Sequence, residues 1–114
     1  MKLRVREAQI REQYPQEYER RMENKLHYRY PGGESYMDVI ERCHRVLMKL
    51  VGSRNSVLVV AHKAVLQVIM GYFMDIARED IPNIDVKMNT VYELEPTAYC
   101  TNTKECVLHY SCFF

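Results

Sequence analysis

The chain has 114 residues, the length of one domain with a modest core. Its 47% hydrophobic and 27% charged residues are ordinary for a soluble globular protein, and a formal net charge of +1 excludes any global attraction to nucleic acid or anionic membranes. The N-terminus is too polar for a signal peptide and no apolar run reaches membrane-spanning length, so we expect a cytoplasmic protein without nucleic-acid or membrane partners.

The four cysteines form no Cys-x-x-Cys pair, and the spacing of histidines and carboxylates offers no set of metal ligands. We therefore expect free thiols in a reducing compartment and no bound metal. If residues 103–114 form a strand, Cys106 and Cys112 share one of its faces, which predicts that both thiols are buried.

The first half of the chain predicts two helices separated by a loop. The first thirty residues are charged and Tyr-rich and predict a short surface helix from Pro15, because proline suits a first helical turn. Pro-Gly-Gly at residues 31–33 predicts the loop. Ser35 is a good N-cap for an amphipathic helix that Gly52 would follow as its C-cap. The apolar positions of this helix are Tyr36, Val39, Ile40, Cys43, Val46, Leu47, Leu50 and Val51.

The second half predicts strands around one buried helix. Residues 56–61, "SVLVVA", are short and wholly apolar after the serine, which favours a strand buried on both faces of a parallel sheet. Residues 63–75 predict a helix that is apolar nearly all round, and residues 77–85 predict a short helical turn and a loop. Residues 89–97 and 103–114 predict two further strands. This order of elements predicts an α/β sandwich around a mixed sheet.

His62 and Lys63 lie where the predicted strand gives way to the predicted helix. Ligands of open α/β sheets bind at that edge, and the N-terminus of a helix favours phosphate. The two side chains therefore predict the floor of an anion site. The alternative is a capping histidine satisfied by the backbone, with Lys63 in solvent.

A second basic cluster lies upstream. Arg21 and Lys25 are four residues apart, on one face of the predicted short helix, and no carboxylate between them is spaced to pair with both. Residues 26–36, "LHYRYPGGESY", add tyrosine hydroxyls, Arg29 and a Gly-Gly bend that lets the backbone approach a ligand. Such groups suit a phosphorylated sugar. The alternative is a solvated basic face with tyrosines packed on the core.

The runs "REQYPQEY", "YRYPGGESYMDVIERC", "NSVLVVAHKAVLQVIMGYFMD" and "NTVYELEPTAY" closely resemble the fructose-2,6-bisphosphatase domain of the bifunctional 6-phosphofructo-2-kinase/fructose-2,6-bisphosphatases, a branch of the histidine phosphatase superfamily. The resemblance extends from about Ile10 to about Tyr99. It implies a phosphoglycerate mutase-like three-layer α/β/α sandwich, of which residues 1–114 are the C-terminal portion. The fold would be incomplete, because the N-terminal central strand that carries the nucleophile is absent.

The resemblance implies hydrolysis of the 2-phosphate of fructose 2,6-bisphosphate to fructose 6-phosphate through a phosphohistidine intermediate. A histidine of an Arg-His-Gly motif takes the phosphoryl group, a glutamate protonates the leaving oxygen, and a second histidine, which matches His62, steadies the transition-state charge. The sugar 6-phosphate pocket carries over to Arg21, Lys25 and Tyr36. The phosphatase implies no cofactor; ATP and Mg²⁺ would enter only with an upstream kinase domain. The resemblance leaves open a homodimer through regions outside this chain.

The sequence departs from the family's pattern inside this site. The residue after the second histidine is usually a substrate-contacting glutamine and here is Lys63, while a 6-phosphate arginine is replaced by Gln67. A family tyrosine aligns with Glu7, which would repel a phosphate. No Arg-His-Gly occurs in the 114 residues, so the nucleophile and general acid would precede Met1. We expect the isolated chain to be inactive.

Two alternatives to a piece of a bisphosphatase stay open. The first is a non-catalytic module of the same fold that binds sugar phosphates or a partner, which Lys63 and Gln67 favour because they alter the pocket without dismantling it. The second is a relative of phosphoglycerate mutases or broad-range acid phosphatases, which would not share the Tyr-Arg-Tyr run at residues 28–30. A sheet without its central strand leaves backbone groups unpaired, so we expect poor stability or self-association.

Overall fold

The computed structural model describes residues 7–29 and 32–108. Its α-helices are α1 (Glu7–Gln13), α2 (Pro15–Glu23), α3 (Tyr36–Gly52) and α4 (Lys63–Phe73), followed by a 3-10 helix (Arg78–Asn83) and by strands β1 (Thr90–Pro96) and β2 (Thr101–Val107). The predicted helices from Pro15, after Ser35 and from Lys63, the short helical turn and the strand predicted over residues 89–97 are confirmed. Helix α1 was not predicted; it packs on α2 and places the Arg11 guanidinium 5.8 Å from the centre of the Tyr18 ring.

Helix α3 begins with a reciprocal cap. The hydroxyl of Ser35 accepts a hydrogen bond from the backbone N–H of Asp38 at 3.2 Å, and the Asp38 carboxylate accepts from the backbone N–H of Ser35 at 2.7 Å. Two N–H groups that the first helical turn leaves without partners are thereby satisfied. At the other end, Gly52 is the last helical residue and Ser53 is the C-cap, so the predicted glycine cap is wrong by one position.

The core lies between α3, α4 and the 3-10 helix. Its buried members are Val39, Cys43 and Leu47 of α3, Val68 and Ile69 of α4, and Ile81 of the 3-10 helix. Close approach of α4 to the 3-10 helix depends on Gly71, because a Cβ atom there would lie 2.7 Å from Cγ1 of Ile81. This contact explains why a glycine lies in the last turn of α4.

Residues 56–61 were predicted to form a strand buried on both faces, and this prediction is wrong. They form no strand and pair with no other segment of the described chain. Val59 packs against the core, whereas Leu58 is 80% and Val60 88% exposed, so the segment is covered on one side only. A strand with two apolar faces lies inside a sheet that other elements cover on both sides, and residues 7–29 and 32–108 supply no strand that pairs with it.

The sheet that does form is a two-stranded antiparallel pair, with Thr90 opposite Val107 and Pro96 opposite Thr101. It replaces the predicted mixed sheet within the described residues. The hydroxyl of Thr101 donates to the carbonyl of Phe73 at 2.5 Å and so ties β2 to the end of α4. Together the helices and this sheet are consistent with an incomplete α/β sandwich.

The thiols do not follow the predicted burial. Cys106 on β2 is exposed, which makes that prediction wrong, while Cys112 lies outside the described residues, as does His109. Cys43 on α3 is buried, and Cys43, Cys100 and Cys106 are all free thiols. None of the helices described is both long enough and apolar enough to cross a bilayer.

Candidate functional site

His62 and Lys63 open helix α4. His62 is the N-cap residue, and its backbone carbonyl accepts a hydrogen bond from the N–H of Leu66 at 3.1 Å. Its imidazole makes no hydrogen bond that caps the helix, unlike the capping histidine considered as the alternative. Both side chains are exposed. Two side chains that can donate hydrogen bonds thus stand in solvent at the positive end of a helix dipole.

Gln67 lies one turn further along α4, and its side chain is in the core. Only 1% of the residue is exposed. Its amide oxygen accepts from the hydroxyl of Tyr36 at 2.9 Å. Its amide nitrogen donates to the carbonyls of Pro82 at 3.3 Å and Ile84 at 2.8 Å. Gln67 therefore links the first turn of α3 to α4 and to the segment that closes the 3-10 helix.

Arg21 and Lys25 lie upstream of this link, and both are partly buried. Arg21 is in the last turn of α2, and Lys25 is in the turn that follows. The next residue, Leu26, is buried, and its carbonyl accepts from the N–H of Met37 at 3.1 Å. This backbone contact brings the turn that carries Lys25 against the start of α3, where Tyr36 lies. Tyr36 in turn is hydrogen-bonded to Gln67 through its hydroxyl.

Arg29 has a structural partner. Its guanidinium donates two hydrogen bonds to the carboxylate of Asp38, at 2.9 and 2.6 Å. Hydrogen bonds from the backbone N–H and the hydroxyl of Ser35, followed by the contact with Arg29, hold the pKa of Asp38 below its ordinary value of 3.8. This network was missed in the sequence, although Ser-x-x-Asp before an apolar run is a variant of the capping-box pattern.

Among the other polar side chains of this region, one tyrosine has a structural partner and two histidines are exposed. The hydroxyl of Tyr28 donates to the carboxylate of Glu17 and fastens the turn after α2 to that helix. His27 and His44 are exposed. Tyr30 and the side chain of Glu7 lie outside the described part of the chain. Within that part, no three of the histidine, cysteine and carboxylate side chains come together as a metal site.

The chain is similar to known proteins over most of its length. The sequence profile of the histidine phosphatase superfamily (branch 1) matches residues 4–108. The chain is 44% identical over 93 residues to 6-phosphofructo-2-kinase 1 of Saccharomyces cerevisiae, a match that covers 80% of this chain and 11% of the relative. It is 44% identical over 91 residues to 6-phosphofructo-2-kinase/fructose-2,6-bisphosphatase 3 of Homo sapiens, covering 80% and 17%.

A third relative is named for the phosphatase activity alone. The chain is 42% identical over 93 residues to fructose-2,6-bisphosphatase of Saccharomyces cerevisiae, covering 82% of this chain and 20% of that protein. The chain thus spans between 11% and 20% of the length of these three curated relatives. The matches confirm the resemblance predicted from the sequence and the class of an incomplete α/β, phosphoglycerate mutase-like fold.

Proposed function

Because this chain belongs to the histidine phosphatase superfamily, we propose that it supplies one part of the active site of a fructose-2,6-bisphosphatase. The reaction is hydrolysis of the 2-phosphate of fructose 2,6-bisphosphate through a phosphohistidine intermediate. One observation carries the proposal: an exposed imidazole and an exposed ammonium group stand together at the N-terminal end of α4 in a chain of this superfamily. The proposed substrate is a phosphorylated sugar, and the proposed compartment is the cytoplasm.

In this proposal His62 donates a hydrogen bond to the phosphoryl oxygens while negative charge develops on them. Lys63 adds a second cation beside it, and the first N–H groups of α4 point to the same side. Donors that are fixed before the reaction stabilise a transition state without reorganisation at the moment of reaction. Arg21 and Lys25 bind the 6-phosphate, and Tyr36 contacts the sugar end of the substrate. No cofactor is required.

The nucleophile and the general acid come from outside these 114 residues, because the sequence contains no Arg-His-Gly. We therefore expect no turnover of fructose 2,6-bisphosphate by the isolated chain. A coupled assay of fructose 6-phosphate release measures this directly. Hydrolysis above background that follows the purified chain through chromatography would refute the incomplete site.

A chimera tests the catalytic part of the proposal. The matching segment of the Saccharomyces cerevisiae fructose-2,6-bisphosphatase is replaced by the 93 aligned residues of this chain. We expect the chimera to hydrolyse fructose 2,6-bisphosphate, and His62→Ala to lower kcat by about 100-fold, the scale for losing one fixed donor. His44→Ala, which removes an exposed imidazole from α3, is the matched control and should leave kcat unchanged. A folded but inactive chimera, or an active His62→Ala variant, would contradict the assignment.

A second candidate function is a non-catalytic module that binds sugar phosphates. It is favoured by Gln67, which takes the place of a cation yet is held by three hydrogen bonds in the core, so the altered position is built into the fold. The intact mass of the native protein separates the two candidates. A mass far above 13.6 kDa supports the enzyme, whereas a match to 13.6 kDa supports the binding module.

A further inference from the structure

A cleft separates the turn after α2 from the 3-10 helix. Its volume is about 510 Å³, within the range of small-molecule sites. Both walls of the cleft are fixed to the same core. On the side of the turn, Leu26 is buried and its carbonyl accepts a hydrogen bond from the N–H of Met37. On the other side, Ile81 of the 3-10 helix is buried in the core with residues of α3 and α4. The cleft is therefore formed before any ligand binds.

The turn supplies hydrogen-bond donors to the cleft. The backbone N–H of His27 donates to the side-chain oxygen of Asn24 at 3.2 Å, so the NH₂ group of Asn24 is the part of that amide left for a ligand. Lys25 adds an ammonium group and His27 adds an imidazole, and both residues line the cleft. A cluster of donors that includes an ammonium group favours an anionic group of a ligand.

Two carboxylates line the same cleft. Glu79 belongs to the 3-10 helix, across the cleft from the turn, and Glu23 is the last residue of α2. Within residues 7–29 and 32–108, neither carboxylate forms an ion pair, and neither does the ammonium group of Lys25. Charges of both signs thus line one cleft without neutralising each other. A ligand that carries one charge of each sign can bridge them.

We propose that this cleft binds a zwitterion, a small molecule with an ammonium group at one end and a carboxylate at the other. The carboxylates of Glu23 and Glu79 accept hydrogen bonds from the ammonium group of the ligand. Lys25, His27 and Asn24 donate to its carboxylate. The inference goes beyond the proposed function and touches it at one residue. Since Lys25 is assigned there to the 6-phosphate, a bound zwitterion would compete with the sugar phosphate for that ammonium group.

Binding of γ-aminobutyrate to the full 114-residue chain, followed by NMR through the amide signals of residues 24–27 and 79–83, tests the proposal. Butyrate and butylamine each carry one of its two charged groups and should bind more weakly. Glu79→Gln should weaken binding of γ-aminobutyrate by about fivefold, the scale of one exposed charge pair, and leave binding of butyrate unchanged. Glu95→Gln, at an exposed carboxylate of β1, is the matched control and should change neither ligand.

Charge reversal adds a readout that loss of structure would not produce. When Glu79→Lys is combined with Glu23→Gln, glutarate, which has a carboxylate at each end, should bind more tightly than γ-aminobutyrate. The proposal is overturned if the wild-type chain binds γ-aminobutyrate no better than butyrate, if Glu79→Gln leaves that affinity unchanged, or if the shifted signals lie outside the cleft. Hydrolysis of fructose 2,6-bisphosphate by the chimera is a separate measurement, so failure of this inference and failure of the proposed function are distinguishable.

Discussion

Replacing Gly71 with alanine tests the packing of α4 on the 3-10 helix. The added Cβ would lie 2.7 Å from Cγ1 and 3.1 Å from Cδ1 of Ile81. Carbon atoms in contact prefer separations of about 3.5–4.0 Å, so the two groups must move apart by about 1 Å. Ile81 is only 5% exposed and is enclosed by the core, which leaves it little room to turn away.

Two opposing effects determine the magnitude. Extra methyl groups in a packed core cost about 1–3 kcal/mol, and alanine recovers up to about 1 kcal/mol because it is a better helix former than glycine. We therefore expect Gly71→Ala to lower the free energy of unfolding by about 1 kcal/mol, the middle of the packing cost less the full gain in helix propensity. Gly52→Ala is the matched control, since no atom lies within 4 Å of its added Cβ. It should be neutral or slightly stabilising.

Urea unfolding followed by far-UV circular dichroism, at two protein concentrations, measures both variants. We expect the unfolding midpoint of Gly71→Ala to fall and that of Gly52→Ala to stay unchanged or rise slightly. The added methyl group should push the 3-10 helix away from α4. Because the carbonyls of Pro82 and Ile84 lie at the end of that 3-10 helix, Gly71→Ala should also loosen their hydrogen bonds with Gln67. A Gly71→Ala variant as stable as wild type would refute the close packing described between α4 and Ile81.

Two further predictions concern the helix cap and the exposed apolar segment. The pKa of Asp38 lies below 3.8 in the folded protein, so its contribution to stability is present above that pH and is lost as pH falls through the lower, folded-state pKa. Urea unfolding at a series of pH values should therefore show that the stability difference between wild type and Asp38→Asn shrinks as the pH falls below 3.8. A difference that stays constant with pH would contradict this prediction. Leu58 and Val60 are 80% and 88% exposed, and we expect the chain to self-associate through them. Sedimentation velocity should show less association when both residues are replaced by lysine. Met88→Lys, at another exposed apolar site, is the control and should leave association unchanged. A wild-type chain that is monomeric would refute this prediction.

Local patterns in the sequence predicted the elements whose stability is local. The three- and four-residue spacing after Ser35 predicted α3, and α4 begins at Lys63 as its sequence indicated. The strand predicted over residues 89–97 corresponds to β1. In each case capping groups, turn residues and apolar periodicity act within a few residues of one another, so their effect does not depend on the rest of the fold.

Residues 56–61 show where such reasoning stops. Their composition indicates a strand with two buried faces, but a strand forms only when another segment satisfies its backbone groups, and the described residues supply none. The burial of Cys106 failed for a related reason. Alternation along β2 assigns residues to two faces, yet it does not say whether any layer covers either face.

The sequence by itself determined the family, the principal helices and the position of His62 and Lys63 at the start of α4. Only the tertiary structure decided that Gln67 is buried, that Arg29 pairs with Asp38, and that the Tyr36 hydroxyl donates its proton to Gln67. Tyr36 and Gln67 are 31 residues apart on different helices, and no local periodicity relates them. The direction of their hydrogen bond follows from two carbonyls on a third segment, which only the packing of α3, α4 and the 3-10 helix brings within reach.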